Sequence, residues 1–320
     1  MAQFLKFLPL YRERVWGGRG LADHFGRPLP DGGPIGESWE IVDRPEAQST
    51  VRAGRWKGKT LHEVLSAHGA EVMGPAWPGA RRFPILVKWL DCRERLSLQV
   101  HPPAAVAAKL GGEPKTENWY FAHAKSGAAV IAGLKPGVTI RQFERALARG
   151  TVEPVLRRLK VRAGDSLLLR SGTLHAIDAG NVILEVQQNS DTTYRAHDWG
   201  RLGLDGQPRP LQVAEALACM AAAPEKPAPL VRPRGRGAST LADGAEFRIR
   251  HVRLAPGASL AFAAGEMPRI LTVVAGRLRS GGALVARGEN VLLPFAAACG
   301  FVALEKATVL VTENFHRGPG

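Results

Sequence analysis

Apolar and polar side chains alternate along residues 96–102. As a strand, this stretch turns Ser97, Gln99 and His101 to one face and Leu96, Leu98 and Val100 to the other. The same two-residue period recurs in residues 115–121, where Lys115 and Glu117 share a face, and in residues 182–188, where Glu185 and Gln187 do. Residues 82–91 read as a strongly apolar strand that carries Lys88 inside a barrel or at its rim, and residues 166–169 as another apolar strand after a turn at 162–165. Helical spacing is rarer. Thr60 caps a segment with Glu63 at the capping-box position and Leu61, Val64 and Leu65 on one side. Residues 139–160 carry Ile140, Phe143 and Leu147 at helical intervals, and residues 211–220 form a further expected helix. The chain therefore reads as mainly β, with a few short helices.

Turn chemistry fits that reading, since 36 Gly and 23 Pro imply many short strands. Residues 224–238 are rich in Pro, Arg and Gly and are the expected linker, separating a catalytic region over 1–223 from a C-terminal domain over 239–320. The latter gives some six short strands and lacks a histidine cluster, because only His251 and His316 fall there.

Length and charge narrow the class. A chain of 320 residues is long enough to bury one large or two medium cores. The three widely spaced cysteines, Cys92, Cys219 and Cys299, argue against a disulfide framework and fit a cytoplasmic protein. No apolar run reaches the ~18 residues of a membrane span, and residues 4–9 are too short and too soon interrupted for a signal peptide. The net charge of +14 is scattered apart from residues 157–160 and 232–236, with no aromatic interleaving, so nucleic acid is not the expected partner. A small anionic ligand suits the positive balance better.

Several motifs, taken in order, resemble one family. They are Trp16-Gly17-Gly18, Gly36-Glu37-Ser38-Trp39-Glu40, the 96–102 stretch, Lys115-Thr116-Glu117-Asn118-Trp119-Tyr120, Ser171-Gly172-Thr173-Leu174-His175-Ala176-Ile177, and residues 185–195 ending in Arg195. Together they resemble the type I mannose-6-phosphate isomerases, the zinc-dependent phosphomannose isomerases, in their short bacterial form. The resemblance covers roughly residues 8–200; beyond that only the β character is shared. It implies cupin jelly-roll barrels, one bearing metal and a second, degenerate one without ligands. It also implies one zinc ion per chain, held by Gln99, His101, Glu117 and His175. Such a set without sulfur suits zinc with open positions, although iron or manganese would tolerate it. Two ligands two residues apart on one strand, with one from each of two others, can converge inside a barrel. The chain departs from many long-form relatives at Pro114, where they carry a histidine, and lacks their large helical insertion.

The implied reaction interconverts mannose 6-phosphate and fructose 6-phosphate through an enediolate, moving a proton between C1 and C2. That requires a base, a stabiliser of negative charge and a hold on the phosphate. Glu185 and Lys115 are rival bases, Arg195 the expected stabiliser, and Ser97 and Lys88 the expected contacts at the phosphate end. His123, His197, Asp191 and Asp198 read as surface or supporting residues. Two other functions use the same barrel: a metal-dependent cupin oxygenase, which has no use for Lys115 or Arg195, and a non-catalytic sugar-phosphate binder. The expected assembly is a monomer or a homodimer.

Overall fold

The computed structural model describes residues 4–223, 229–233, 235 and 237–315. Besides a two-residue hairpin pair at Asp43–Arg44 and Ala47–Gln48, eleven strands precede residue 200: β1 (Leu10–Gly18), β2 (Ile35–Ile41), β3 (Ile85–Cys92), β4 (Leu98–Val100), β5 (Glu117–Ala124), β6 (Ala129–Leu134), β7 (Leu156–Lys160), β8 (Ser166–Leu169), β9 (His175–Ile177), β10 (Asn181–Gln188) and β11 (Tyr194–His197). They form a six-stranded sheet in the order β1-β2-β3-β10-β5-β8 and a five-stranded sheet in the order β11-β4-β9-β6-β7. An apolar cluster that includes Leu90, Trp119, Phe121, Val130, Leu167, Ile177 and Ile183 draws on strands of both sheets, which is what closes a jelly roll.

Nine further strands follow: β12 (Ala238–Asp243), β13 (Arg248–Leu254), β14 (Ser259–Phe262), β15 (Arg269–Ala275), β16 (Arg277–Ser280), β17 (Ala283–Ala286), β18 (Asn290–Leu293), β19 (Cys299–Ala303) and β20 (Ala307–Glu313). Their sheets run β12-β13-β20-β15-β18 and β14-β19-β16-β17. The mainly β, double-barrel expectation is met, with more strands in the second half than the sequence pattern indicated.

The helices follow their caps. Thr60 and Glu63 make the reciprocal capping box at the start of Leu61–Met73, whose Leu61, Val64 and Leu65 are buried. Thr139 and Gln142 do the same for Ile140–Ala148. The helical reading of 139–160 fails beyond that point. After a short 3-10 turn at Glu153–Val155, the chain becomes strand β7, paired with β6 through Leu159 and Val130. In β7 the buried Leu156 is followed by alternating half-buried and exposed residues, a two-residue period that the charged run Arg157-Arg158-Leu159-Lys160 conceals.

Contacts divide the chain into two units, one of residues 1–10, 39–87 and 232–320 and the other of residues 11–38 and 88–231. The linear division at 223 and 239 expected from sequence places residues 1–223 together, whereas the contacts distribute them over both units. Residues 39–87 belong with the C-terminal strands, because Phe295 and Ala296 donate backbone hydrogen bonds to Val72 and Glu71, and the Phe83 and Phe315 ring centroids lie 5.4 Å apart. The linker expectation over 224–238 partly lies outside the described residues, but Val231 exchanges both backbone hydrogen bonds with Ser166 and Leu230 packs on the first barrel's core.

The glycine motifs have a steric cause. A Cβ on Gly17 would lie 2.3 Å from the Gly36 nitrogen, so β1 and β2 approach as they do only because both positions are bare.

Candidate active site

Strand phase delivers one polar side chain after another into the barrel of the unit formed by residues 11–38 and 88–231. His175 on β9 lies opposite Gln99 on β4, and Gln187 on β10 lies opposite Glu117 on β5. His101 follows β4 by one residue and keeps its phase. The result is a buried group of His101, Glu117 and His175 whose ligand atoms all lie within 4.8 Å of one another. His101 Nε2 is 3.2 Å and His175 Nε2 3.4 Å from the Glu117 carboxylate. Gln99 Nε2 stands 3.3 Å from His175 Nε2, and Ser97 Oγ donates to Gln99 Oε1 at 3.3 Å.

The histidines are oriented from behind. His101 Nδ1 donates to the Thr192 carbonyl and His175 Nδ1 to the Thr173 carbonyl, each at 2.8 Å, which leaves both Nε2 lone pairs facing Glu117. Burial, then the nearby Lys115 charge, pushes His101 down to about 3, and burial also lowers His175, so both rings are neutral. Burial would raise Glu117, but the Lys115 charge beside it outweighs burial and holds the carboxylate well below its usual range. His101 Nε2 and both Glu117 carboxylate oxygens are nevertheless buried without a hydrogen-bond partner. The Lys115 ammonium, 3.2 Å from one Glu117 oxygen, offsets its charge without hydrogen-bonding it; the imidazole lone pairs and carboxylate oxygens that still face one another are costly unless a cation lies between them, and this donor set fits a divalent metal.

Next to this group, and reached through Gln99 and Lys115, lies a cavity of about 620 Å³ that Lys88, Ser97, Gln99, Lys115, Glu185 and Arg195 all line. The structure thus brings the expected site residues together. Lys115 Nζ is 3.2 Å from Glu117, and Lys88 Nζ is 3.4 Å from Glu185. Trp119 Nε1 donates to Glu185 at 3.1 Å. Burial and the neighbouring Glu117 raise the Glu185 carboxyl against the pull of Lys115 and Lys88. Burial would lower Lys115, but Glu117, Glu185 and Asp191 raise it overall, so its ammonium stays charged. Arg195 donates from Nη1 to the Pro210 carbonyl at 2.9 Å, while its buried Nε has no partner.

Other residues enter the cavity that the sequence reading had not assigned to it. Asp191 lines it, as do Glu13, Arg14, Glu37, Asp205 and Arg209. Arg14 shares its strand phase with the buried Trp16, and that pairing of a charge with a core aromatic was the available signal. Asp198, read as a surface or supporting residue, is buried and accepts from Arg201 and doubly from Arg209. His123 instead stacks on His24, with centroids 4.2 Å apart, and His197 accepts from the Trp199 backbone; neither lines this cavity. Carboxylates and cations line the cavity in equal number, so the chain's positive excess lies elsewhere.

Comparison with known proteins agrees with this geometry. The sequence pattern of the type I phosphomannose isomerase catalytic domain matches residues 4–115. Two Bacillus subtilis relatives, YvyI and GmuF, are 41% and 40% identical over 211 residues, a stretch spanning 65% of this chain and 65% of their own length. The mannose-6-phosphate isomerase of Streptococcus mutans is 37% identical over 218 residues, 68% of this chain and 67% of that protein. The crystal structure of the mannose 6-phosphate isomerase from Bacillus subtilis superposes with a TM-score of 0.86 at 32% identity, covering 97% of this chain and 99% of that one. A structure from Archaeoglobus fulgidus, 23% identical with a TM-score of 0.74, shares the fold. At 37% identity over two thirds of the Streptococcus mutans protein and 32% identity across nearly the whole Bacillus subtilis structure, the chain belongs to the type I phosphomannose isomerase family.

Proposed function

We propose that this chain interconverts mannose 6-phosphate and fructose 6-phosphate, with one zinc ion held by Gln99, His101, Glu117 and His175. The observation that carries the proposal is the buried His101–Glu117–His175 group with its orphaned acceptors, next to a cavity that Gln99 shares with paired acids and bases. Bound metal would supply Lewis acidity at the sugar oxygens. The rest of the work falls to the chain. Glu185, oriented by Trp119 and Lys88, is our choice of base for the C1–C2 proton, because its carboxylate faces the cavity while Lys115, the rival, is paired with Glu117. Lys115 then holds Glu117 ionised. Arg195, with an unpartnered Nε, stabilises negative charge as the enediolate forms. Ser97 and Lys88 serve the phosphate end, which their places in the cavity wall support. Three unpaired, buried cysteines support a reducing, cytoplasmic setting.

The test is a coupled assay with mannose 6-phosphate on protein of known metal content. Turnover that follows zinc content supports the proposal, and binding of mannose 6-phosphate without exchange of its C2 proton would overturn it. An oxygenase would leave the charged ring of Lys115, Glu185 and Arg195 without a task.

A further inference from the structure

Successive strands of the six-stranded sheet carry a row of charges to the cavity wall. Taken from its edge inward, the row is Arg14 on β1, Glu37 on β2, Lys88 on β3 and Glu185 on β10, with Lys115 just before β5 and the buried Glu117 of the metal group beyond it on β5. The two inner cations are almost wholly buried, each 3% exposed, and each is paired with a carboxylate of the reaction centre. Arg14 is different: its side chain is 33% exposed, and it lies at the edge of the row farthest along the sheet from the metal group.

Its setting is built. Arg14 Nε and Nη2 fork onto the two oxygens of Glu37 at 3.1 and 3.0 Å, and Nη1 donates to the Glu13 carbonyl at 3.2 Å. A guanidinium has five N–H groups, so one hydrogen on each terminal nitrogen remains available at the cavity wall. The opposing backbone is bare where the side chain passes, and a Cβ on Gly36 would come within 2.5 Å of Arg14 Cβ. A fork that fixes a guanidinium's plane and leaves two donors is suited to a planar or tetrahedral oxyanion.

We propose that Arg14 is a specificity-determining residue that contacts the substrate's phosphate group, with Glu37 as the residue that positions it. This rests on the sugar-phosphate reading above. Because the reacting carbons belong at the metal group and Lys88 shares its charge with Glu185, a dianionic group held by Ser97 and Lys88 takes a further donor toward the open side of the cavity. Arg14 supplies it, and so separates phosphorylated from unphosphorylated hexoses.

The experiment compares Arg14→Ala, Arg14→Lys and Glu37→Gln with the unaltered enzyme, using mannose 6-phosphate, mannose, and inorganic phosphate as an inhibitor. A lost charge-assisted contact should raise KM for mannose 6-phosphate and Ki for phosphate together, by about 10- to 100-fold. In Arg14→Ala, kcat should stay within about threefold and kcat/KM for mannose should be unchanged, as expected for a ground-state contact. Arg14→Lys should recover part of the KM, and Glu37→Gln should raise KM less than Arg14→Ala. Equal losses on mannose and mannose 6-phosphate, or a fall in kcat alone, would overturn the proposal. Direct calorimetry of inorganic phosphate with the metal-loaded proteins separates the two levels. If the unaltered protein binds phosphate but turns over no mannose 6-phosphate, the isomerase reading fails; if Arg14→Ala binds phosphate as tightly as the unaltered protein, this one fails.

Discussion

The two barrels share one topology and differ in what fills them. Strands β3 to β10 and β13 to β20 follow the same plan: β3-β10-β5-β8 with β4-β9-β6-β7 in the first, and β13-β20-β15-β18 with β14-β19-β16-β17 in the second. Registers match strand by strand. Where His175 faces Gln99, Phe301 faces Leu260; where Glu185 faces Trp119, Val311 faces Leu271; where Glu117 faces Leu169, Arg269 faces Leu293. The inner positions of the second barrel form a continuous apolar cluster that includes Leu271, Val291, Phe301 and Val311. Its charged exception is satisfied internally, since Arg250 forks onto Glu313 at 2.9 and 3.1 Å and Arg269 joins at 3.3 Å. Glu117, by contrast, has Lys115 near one oxygen but neither oxygen hydrogen-bonded. The same hydrogen-bonded skeleton thus carries either a closed apolar plug or a cluster that needs a cation, and function lies in those few positions rather than in the fold.

The comparison breaks most sharply under chelation. Removing metal should abolish turnover while far-ultraviolet circular dichroism stays native, and zinc should restore it. Elemental analysis should find one metal per chain, absent in His101→Ala and retained in His251→Gln. Two metals per chain would mean that the second barrel is no plug, and activity in a metal-free preparation would remove the premise.

Next in size is Arg195. Loss of a donor that acts as charge develops typically costs about 10²–10³ in rate. Arg195→Ala should therefore lower kcat by that factor with little change in KM, while Lys88→Ala should raise KM and, through its pairing with Glu185, lower kcat less than Arg195→Ala does. Arg195→Lys should rescue poorly, because a point charge does not reproduce a planar fork. An Arg195→Ala enzyme with normal kcat and high KM would instead make Arg195 the phosphate anchor.

Much of this was legible before any coordinates, and the reason is period. Alternation put Ser97, Gln99 and His101 on one face and Glu185 and Gln187 on another, and burial of only one face per strand keeps such a reading in register. What alternation does not give is which strands become neighbours. Arg14 and Glu37 meet across β1 and β2, 23 residues apart, and nothing local marks them beyond Gly36. The assignment of residues 39–87 to the C-terminal unit was hidden for the same reason, since it rests on contacts between residues more than 200 apart in sequence. In residues 156–160 the polar outer face outweighed the pattern, and a strand read as helix.

A smaller effect should come from making the first barrel resemble the second. Gln99→Leu with His175→Phe copies the Leu260–Phe301 pair. Metal binding and turnover should vanish, yet the chelated variant should be as stable as the chelated parent or more so, by about 1 kcal/mol, because exchanging buried polar groups for well-packed apolar ones is often neutral or stabilising. The denaturant midpoint, with the slope checked for constancy, measures it. A loss of several kcal/mol would mean that the polar cluster itself packs the barrel, independent of metal.

The smallest effect concerns His251, a histidine of the second barrel that no site uses. It lies on β13, 3% exposed, and burial followed by the Arg253 charge pushes it down to about 4. Its pKa is thus lower in the folded protein than the ~6.5 of an unfolded chain. Between those values the unfolded chain binds the proton and the folded one does not, so folding stability falls as pH drops from about 6.5 and levels off below about 4. Above 6.5 the residue is neutral in both states and contributes no pH dependence. His251→Gln removes this proton uptake while other titrating groups remain common to both proteins. The loss of Tm between pH 7 and pH 4.5 should therefore be smaller in His251→Gln than in the parent. Equal losses would mean that the imidazole is reached by water and titrates normally, and that the second barrel is less tightly closed around β13 than its burial indicates.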